Sequence, residues 1–218
     1  MWSGGKDCAL ALDRARRAGL DVAALINFHD RKTRQVRFHA TSVAMLEAQA
    51  SALDLVLVKV PSSWSEMERK LEEELRKLHD DGFTGVIFGN IHLADVRAWY
   101  EARVIAAGLE HLEPLWGDPP ATLLNEFVSS GGRAVLTCVD RTRLDASWLG
   151  RTLDANFVLE MSATGCDPCG ENGEYHTYVF DGPLFNRPVR WIPGISREEG
   201  PFLQLEVRAA PPISAPVL

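Results

Sequence analysis

The chain begins with Met1 and Trp2 and then runs Ser3-Gly4-Gly5-Lys6-Asp7, a loop that sets the terms for everything after it. Two glycines let the backbone turn tightly and approach a ligand, and residues from Asp7 to Leu12 read as the start of a helix, whose N-terminus favours anions. Lys6 adds a point positive charge and Ser3 a small hydroxyl. The chemistry is that of a phosphate cradle. A Walker A loop is excluded, because it needs a glycine separated by four residues from Gly-Lys and a Ser or Thr after the lysine. A dinucleotide fingerprint is excluded too, since no G-x-G-x-x-G occurs. Such a loop normally follows a buried strand, yet only two residues precede Ser3. The expectation is either a nearly absent first strand or a start downstream of the natural one.

Beyond the loop, apolar runs alternate with helical patterns. The helix after Asp7 stops at Gly19, and residues 22–28 are apolar almost throughout, as in a strand buried on both faces. Residues 29–37 read as a loop and 39–53 as a helix. Residues 55–60 make a second buried strand, closed by Pro61. Residues 65–79 carry the clearest helical period: Met67, Leu71, Leu75 and Leu78 share a face, Ser65 and Glu68 fit a capping box, and Glu66/Lys70, Glu72/Arg76 and Glu73/Lys77 have i,i+4 spacing. Residues 85–89 make a third strand, and a helix from about 94 to 107 follows. This order predicts an α/β fold, a doubly wound parallel sheet of the Rossmann-like kind, over residues 1–117.

After residue 118 the pattern changes to a helix at 121–128, a strand at 133–139, a Leu-rich turn ending at Gly150 and a helix near 153–161. Loops dominate beyond Gly165, with one strand candidate at 202–207 and a Pro-rich end expected to be mobile. Residues 118–218 therefore read as a smaller α+β unit. The net charge of −7 disfavours a general nucleic-acid binder. No apolar run reaches the roughly 18 residues of a membrane span and no signal pattern opens the chain, so the expected compartment is the cytoplasm. Cys166 and Cys169 form one C-x-x-C without a second half, which favours ordinary loop thiols over a zinc site.

A second unusual stretch is Gly170-Glu171-Asn172-Gly173-Glu174-Tyr175-His176-Thr177. Two carboxylates three apart in a glycine-punctuated loop suit Mg²⁺, a cationic acceptor or a general base; a polar turn between strands explains them as well. Asn27 and Phe28 end a parallel strand, where open α/β sheets bind ligands, and Gly89 ends another. His39 and His176 fit hydrogen-bonded structural histidines at least as well as catalysts.

Ser3-Gly4-Gly5-Lys6-Asp7 resembles the PP-loop of the ATP pyrophosphatases, which cleave ATP to AMP and pyrophosphate. Joined in order by Gly89-Asn90-Ile91, Asp95, Arg97, Gly108-Leu109, Pro114-Leu115-Trp116, the run 170–177 and Asp181-Gly182-Pro183-Leu184-Phe185, it is similar to the diphthine–ammonia ligase family. Cys8 stands where that loop commonly has Ser, and Asn90 where relatives often carry an acid. The resemblance implies the adenine nucleotide alpha hydrolase-like fold, with ATP and Mg²⁺ as cofactors and ammonia as co-substrate. The implied acceptor is a carboxylate on a modified histidine of a translation elongation factor, which is adenylated and then amidated. It implies catalytic roles for Lys6, Asp7, Glu171 and Glu174, and nucleotide binding by Ser3, Gly4, Gly5, Lys6, Asp7, Asn27, Phe28 and Gly89. Asp95, Arg97, Asn172 and His176 would hold the acceptor. Two rivals stand beside it: a PP-loop enzyme for another acceptor (a small molecule or a tRNA base), and a non-catalytic adenine-nucleotide sensor. The oligomeric state is left open, with a homodimer allowed.

Overall fold

The computed structural model describes residues 1–36 and 39–211. The N-terminal portion contains helices α1 (Lys6–Arg17), α2 (Val43–Leu53), α3 (Met67–Asp80) and α4 (Ala94–Ala106), with strands β1 (Ala24–Asp30), β2 (Val56–Ser62), β3 (Gly85–Ile87) and β4 (Glu110–Leu112). β1 pairs with β2 and β3 with β4, both in parallel. Met1 and Trp2 lie between the two pairs: the Trp2 amide donates to the Ile26 carbonyl at 2.7 Å, and the Met1 amino group bonds the Ile87 carbonyl.

Alternation along β1 shows why helices cover both faces. Leu25 joins a cluster with Leu10 and Leu12 of α1 and Leu46 and Leu53 of α2. Ile26 and Phe28 join the opposite cluster, with Leu71, Leu75 and Leu78 of α3 and Val104 of α4. The expected doubly wound α/β arrangement is what forms.

The C-terminal portion contains α5 (Pro120–Ser129), β5 (Arg133–Asp140), α6 (Ala155–Ser162), β6 (Tyr175–Asp181), β7 (Trp191–Glu199) and β8 (Phe202–Ala209). Its strands make one antiparallel sheet in the order β6-β5-β8-β7. Leu123, Phe127, Leu136, Phe157 and Val179 bury into the same cluster as α1 and α2, so the core is continuous from one portion to the other. The Pro-rich end lies largely outside the described residues.

Several local expectations move. Residues 29 and 30 extend β1 rather than beginning a loop, because their ladder with β2 continues to Asp30–Ser62. Pro61 sits inside β2, which edge strands permit since one row of their N–H groups is unpaired. The α2 helix begins at Val43, where Ser42 caps the Met45 amide. The capping box before α3 is Ser63–Glu66, because a 3₁₀ turn at Trp64–Glu66 precedes the α-helix. Glu66 is therefore held by Ser63 and Arg31, while Glu68 pairs with Arg103 of α4. Glu73 pairs with Arg69 and Lys70, and Lys77 with Glu74. Strand β7 occupies a stretch read as loop; Gly194 and Pro193 hid it by diluting its β pattern.

Candidate active site

The glycine loop is held from the C-terminal portion. The Gly4 carbonyl accepts from the Val179 amide at 2.9 Å and from Gln49 Nε2 at 3.0 Å, and the Lys6 amide donates to Thr177 Oγ1 at 3.0 Å. Gln49 also donates to the Val179 carbonyl and accepts from Trp2 Nε1. A fully buried glutamine on α2 thus joins three segments. Gly4 has φ +84°, and a Cβ there would lie 2.7 Å from Leu46 and 2.8 Å from Gln49, so both its conformation and its space require glycine. Ser3 takes Cys8 as its partner: its amide donates to Cys8 Sγ at 3.3 Å, with the hydroxyl 3.0 Å away. The thiol fills the position its resemblance would give to Ser.

Lys6 is buried at 3% exposure. Its Nζ bonds both oxygens of Asp7 at 2.9 Å and the Cys169 carbonyl, and stands 5.1 Å from the Tyr175 ring centroid. Burial alone would lower its pKa, but Asp7 and Tyr175 outweigh it, so the ammonium is held well above the ordinary lysine value. A fixed positive charge therefore sits at the mouth of the loop.

The two carboxylates of the second stretch part company. Glu174 is 1% exposed; its Oε1 accepts from Arg143 at 3.0 Å and from the Asp167 amide at 3.2 Å, with Asn172 at 3.5 Å. Glu171 places Oε1 on the Ile91 amide at 3.0 Å, and burial followed by Asp7 raises its carboxyl pKa. Glu171 thus ties its own loop to the loop after β3, within the field of the Lys6–Asp7 pair.

Other expected residues are distributed differently. Asn27 is buried and spends its amide on the Trp2 carbonyl, 2.8 Å away, which braces the segment leading into the loop. Phe28 lies in the core cluster beside α3. Gly89 meets the start of α1, where a Cβ would come within 2.9 Å of Asp7 and Cys8 backbone atoms; close packing demands this glycine. Asp95 is exposed in the first turn of α4. Arg97 stacks 4.5 Å from Trp116 and pairs with the buried Glu113 at 3.3 Å, and Asn90 donates to the same carboxylate at 2.7 Å. His176 stacks on His39, with centroids 4.4 Å apart.

Asp167, Thr177, Gln49 and Glu113 were missed as site residues. Asp167 Oδ1 accepts from the Cys169 amide at 2.7 Å while Oδ2 meets His92 Nε2 at 2.8 Å. Its place in Asp-Pro-Cys, a typical turn sequence directly before the glutamates, was the available signal. Cys166 and Cys169 are free thiols, and burial pushes Cys169 up to about 12. Among the described residues, no group of three or more His, Cys, Asp or Glu side chains is arranged to hold a metal, and both Asp7 oxygens are engaged by Lys6. The donor set therefore does not fit a protein-caged Mg²⁺. Nor is any described helix long and apolar enough to cross a membrane.

With this geometry in place, the comparisons are direct. The Diphthamide synthase N-terminal domain profile matches residues 1–111 and the Diphthamide synthase C-terminal domain profile residues 119–195. The chain is 31% identical over 211 residues to the diphthine–ammonia ligase of Schizosaccharomyces pombe, covering 86% of this chain and 34% of that protein. It is 28% identical over 215 residues to the human and bovine diphthine–ammonia ligases, covering 86% of this chain and 79% of each. It thus spans about a third of the yeast relative and most of the mammalian ones. Both halves of the glycine-loop site fall within the matched segments, and the chain belongs to the diphthamide synthase family.

Proposed function

We propose that the chain is an ATP-dependent, AMP-forming amide ligase that adenylates a diphthine-like carboxylate and amidates it with ammonia. The observation that carries this reading is the joining of the glycine loop to the residues 169–179 through Lys6, Thr177 and Gln49. Relatives named diphthine–ammonia ligase supply the reaction class. ATP would lie with its phosphates over Ser3, Gly4 and Gly5 at the N-terminus of α1. Lys6 stabilises the charge that grows on the departing pyrophosphate, and does so in a site where water is largely excluded. Asp7 holds Lys6 in place until the phosphates compete for it. Asn27 and Gly89 keep the strand ends and the loop at fixed spacing beside the nucleotide. Glu171, with one oxygen engaged by Ile91, would offer the other to a cationic acceptor, and Asn90 after β3 and Arg97 of α4, joined through Glu113, would lie on the acceptor side. Mg²⁺ would contribute charge neutralisation on ATP.

Incubation with ATP, Mg²⁺, ammonium and elongation factor 2 bearing diphthine should give amide, AMP and pyrophosphate in equal amounts. ADP and phosphate in place of AMP would overturn the reading. AMP formed only with a small molecule or a tRNA would move the acceptor, and tight nucleotide binding without turnover would favour a sensor.

A further inference from the structure

Amide formation needs a proton acceptor, because ammonia carries a proton too many once its nitrogen has bonded to carbon. Beside the glycine loop stands a pair of imidazoles that no step above uses. The rings of His39 and His176 lie 4.4 Å apart at an interplanar angle of 35°. His39 is seated on the loop itself: its Cε1 would be 3.3 Å from a Cβ added to Gly5, as would the Thr177 carbonyl. The His39 ring bonds the Thr177 backbone. A carbonyl only accepts, so the bonded ring nitrogen is the donor, which leaves the lone pair to Nδ1, buried with no partner among the described residues. His176 is half-buried, and its ring nitrogens have no hydrogen-bond partner among the described residues. One imidazole is thus fixed and the other, packed on it, is free to receive.

We propose that His176 accepts the proton released when ammonia attacks the acyl-adenylate, and that His39 is its positioning residue. This rests on the ligase reading above. The nitrogen lone pair forms the new bond to the carbonyl carbon; the bond from that carbon to the phosphate oxygen breaks, and AMP leaves with the electron pair. The surplus proton passes from nitrogen to the His176 imidazole, and from there to solvent. Among the described residues, the charged group that acts on both rings is Lys6. Burial lowers both histidines; Lys6 adds to it on His39, which falls to about 4, and His39 and then Lys6 add to it on His176, so the receiving form is the one present at neutral pH. Phosphate bound over the loop offsets Lys6 and makes the imidazole more basic when the nucleotide is in place.

The two half-reactions separate the outcomes. Exchange of labelled pyrophosphate into ATP, with elongation factor 2 bearing diphthine, reports adenylation; amide release with ammonium reports the second step. His176→Asn should retain exchange within about twofold while amide formation falls about a hundredfold or more. Hydroxylamine, already neutral at pH 7 and a stronger nucleophile, should restore most of the lost rate. His39→Gln should show the same split more weakly, and the acid limb of the amide-forming pH profile should flatten in His176→Asn. Equal loss of exchange and amide in a variant that melts like the parent would overturn the proposal, as would amide formation at the parent rate. No exchange in the parent chain would instead remove the ligase reading, and this inference with it.

Discussion

Glu171 and Glu174 leave the same loop three residues apart, and nothing in their type or spacing tells them apart. Their surroundings do. Glu174 is sealed at 1% exposure and gives one oxygen to Arg143, the Asp167 amide and Asn172, all within or beside its own loop. Glu171 reaches out of the loop to the Ile91 amide and lies in the field of Asp7, Lys6 and His92. One carboxylate is spent within its own loop, and the other reaches the segment after β3 and the charges of Lys6 and Asp7. On the proposed reading the pair divides into a strut, Glu174, and a tool, Glu171.

The largest expected effect tests the tool. Glu171→Gln keeps the acceptor for the Ile91 amide but removes the charge offered to a cationic acceptor. Turnover should fall about a hundredfold, in the range of a lost positioned carboxylate. The melting temperature should hold or rise. Parent-like turnover would leave Glu171 as a second strut and erase the contrast.

Glu174→Gln should do the reverse. It loses charge-assisted bonds to Arg143 and to the Asp167 amide, and directs an N–H₂ or a weaker acceptor at them. Stability should fall by about 2 kcal/mol in denaturant titration, with turnover tracking only the folded fraction. A stable but inactive Glu174→Gln would show that Glu174 acts on substrate. Arg143→Met sharpens the same point at smaller scale. The arginine is about half exposed (47%), so solvent screens the pair and its removal should cost under about 1 kcal/mol. A loss as large as that of Glu174→Gln would mean the ion pair, rather than the amide contact, holds the loop.

What the sequence disclosed follows the range of the interactions involved. The helix start after the glycine loop, the alternation of strands and helices, and the apolar face of α3 are written in neighbouring residues, and these readings hold. The capping box at Ser63 was displaced by two residues because Ser63 and Ser65 both offer a hydroxyl ahead of a glutamate, and only the 3₁₀ turn decides between them. Longer-range facts were not legible. Nothing local marks Gln49, whose partners Gly4 and Val179 lie 45 and 130 residues away. Gly89 was read only as the end of a strand beside a nucleotide; the start of α1 that it closely approaches, at Asp7, lies 82 residues back in the chain. Arg97 found Glu113 and Trp116 through the parallel pairing of β3 with β4, which no local pattern announces. The resemblance supplied the motif order, but only packing divided Glu171 from Glu174.

The smallest effect gives the finest test, because it concerns the same side chain under two conditions. Burial, and then the nearby Asp7, raise the Glu171 carboxyl above its ordinary value. The folded chain thus binds this proton more readily than the unfolded chain does. Between the unfolded pKa of about 4.3 and the raised folded value, the unfolded state holds fewer protons, so stability falls as pH rises through that window and stays lower above it. Glu171→Gln cannot ionise and escapes the loss. The variant should therefore be slightly more stable than the parent at pH 7, by a few degrees at most in melting temperature, and the advantage should vanish below pH 4. Glu174→Gln should be the less stable chain at pH 7. If both variants lost stability at pH 7, Glu171 would be as much a part of the scaffold as Glu174. A gain confined to Glu171→Gln would show that this carboxylate is kept ionised at a cost to folding, as expected of a group retained for what it binds.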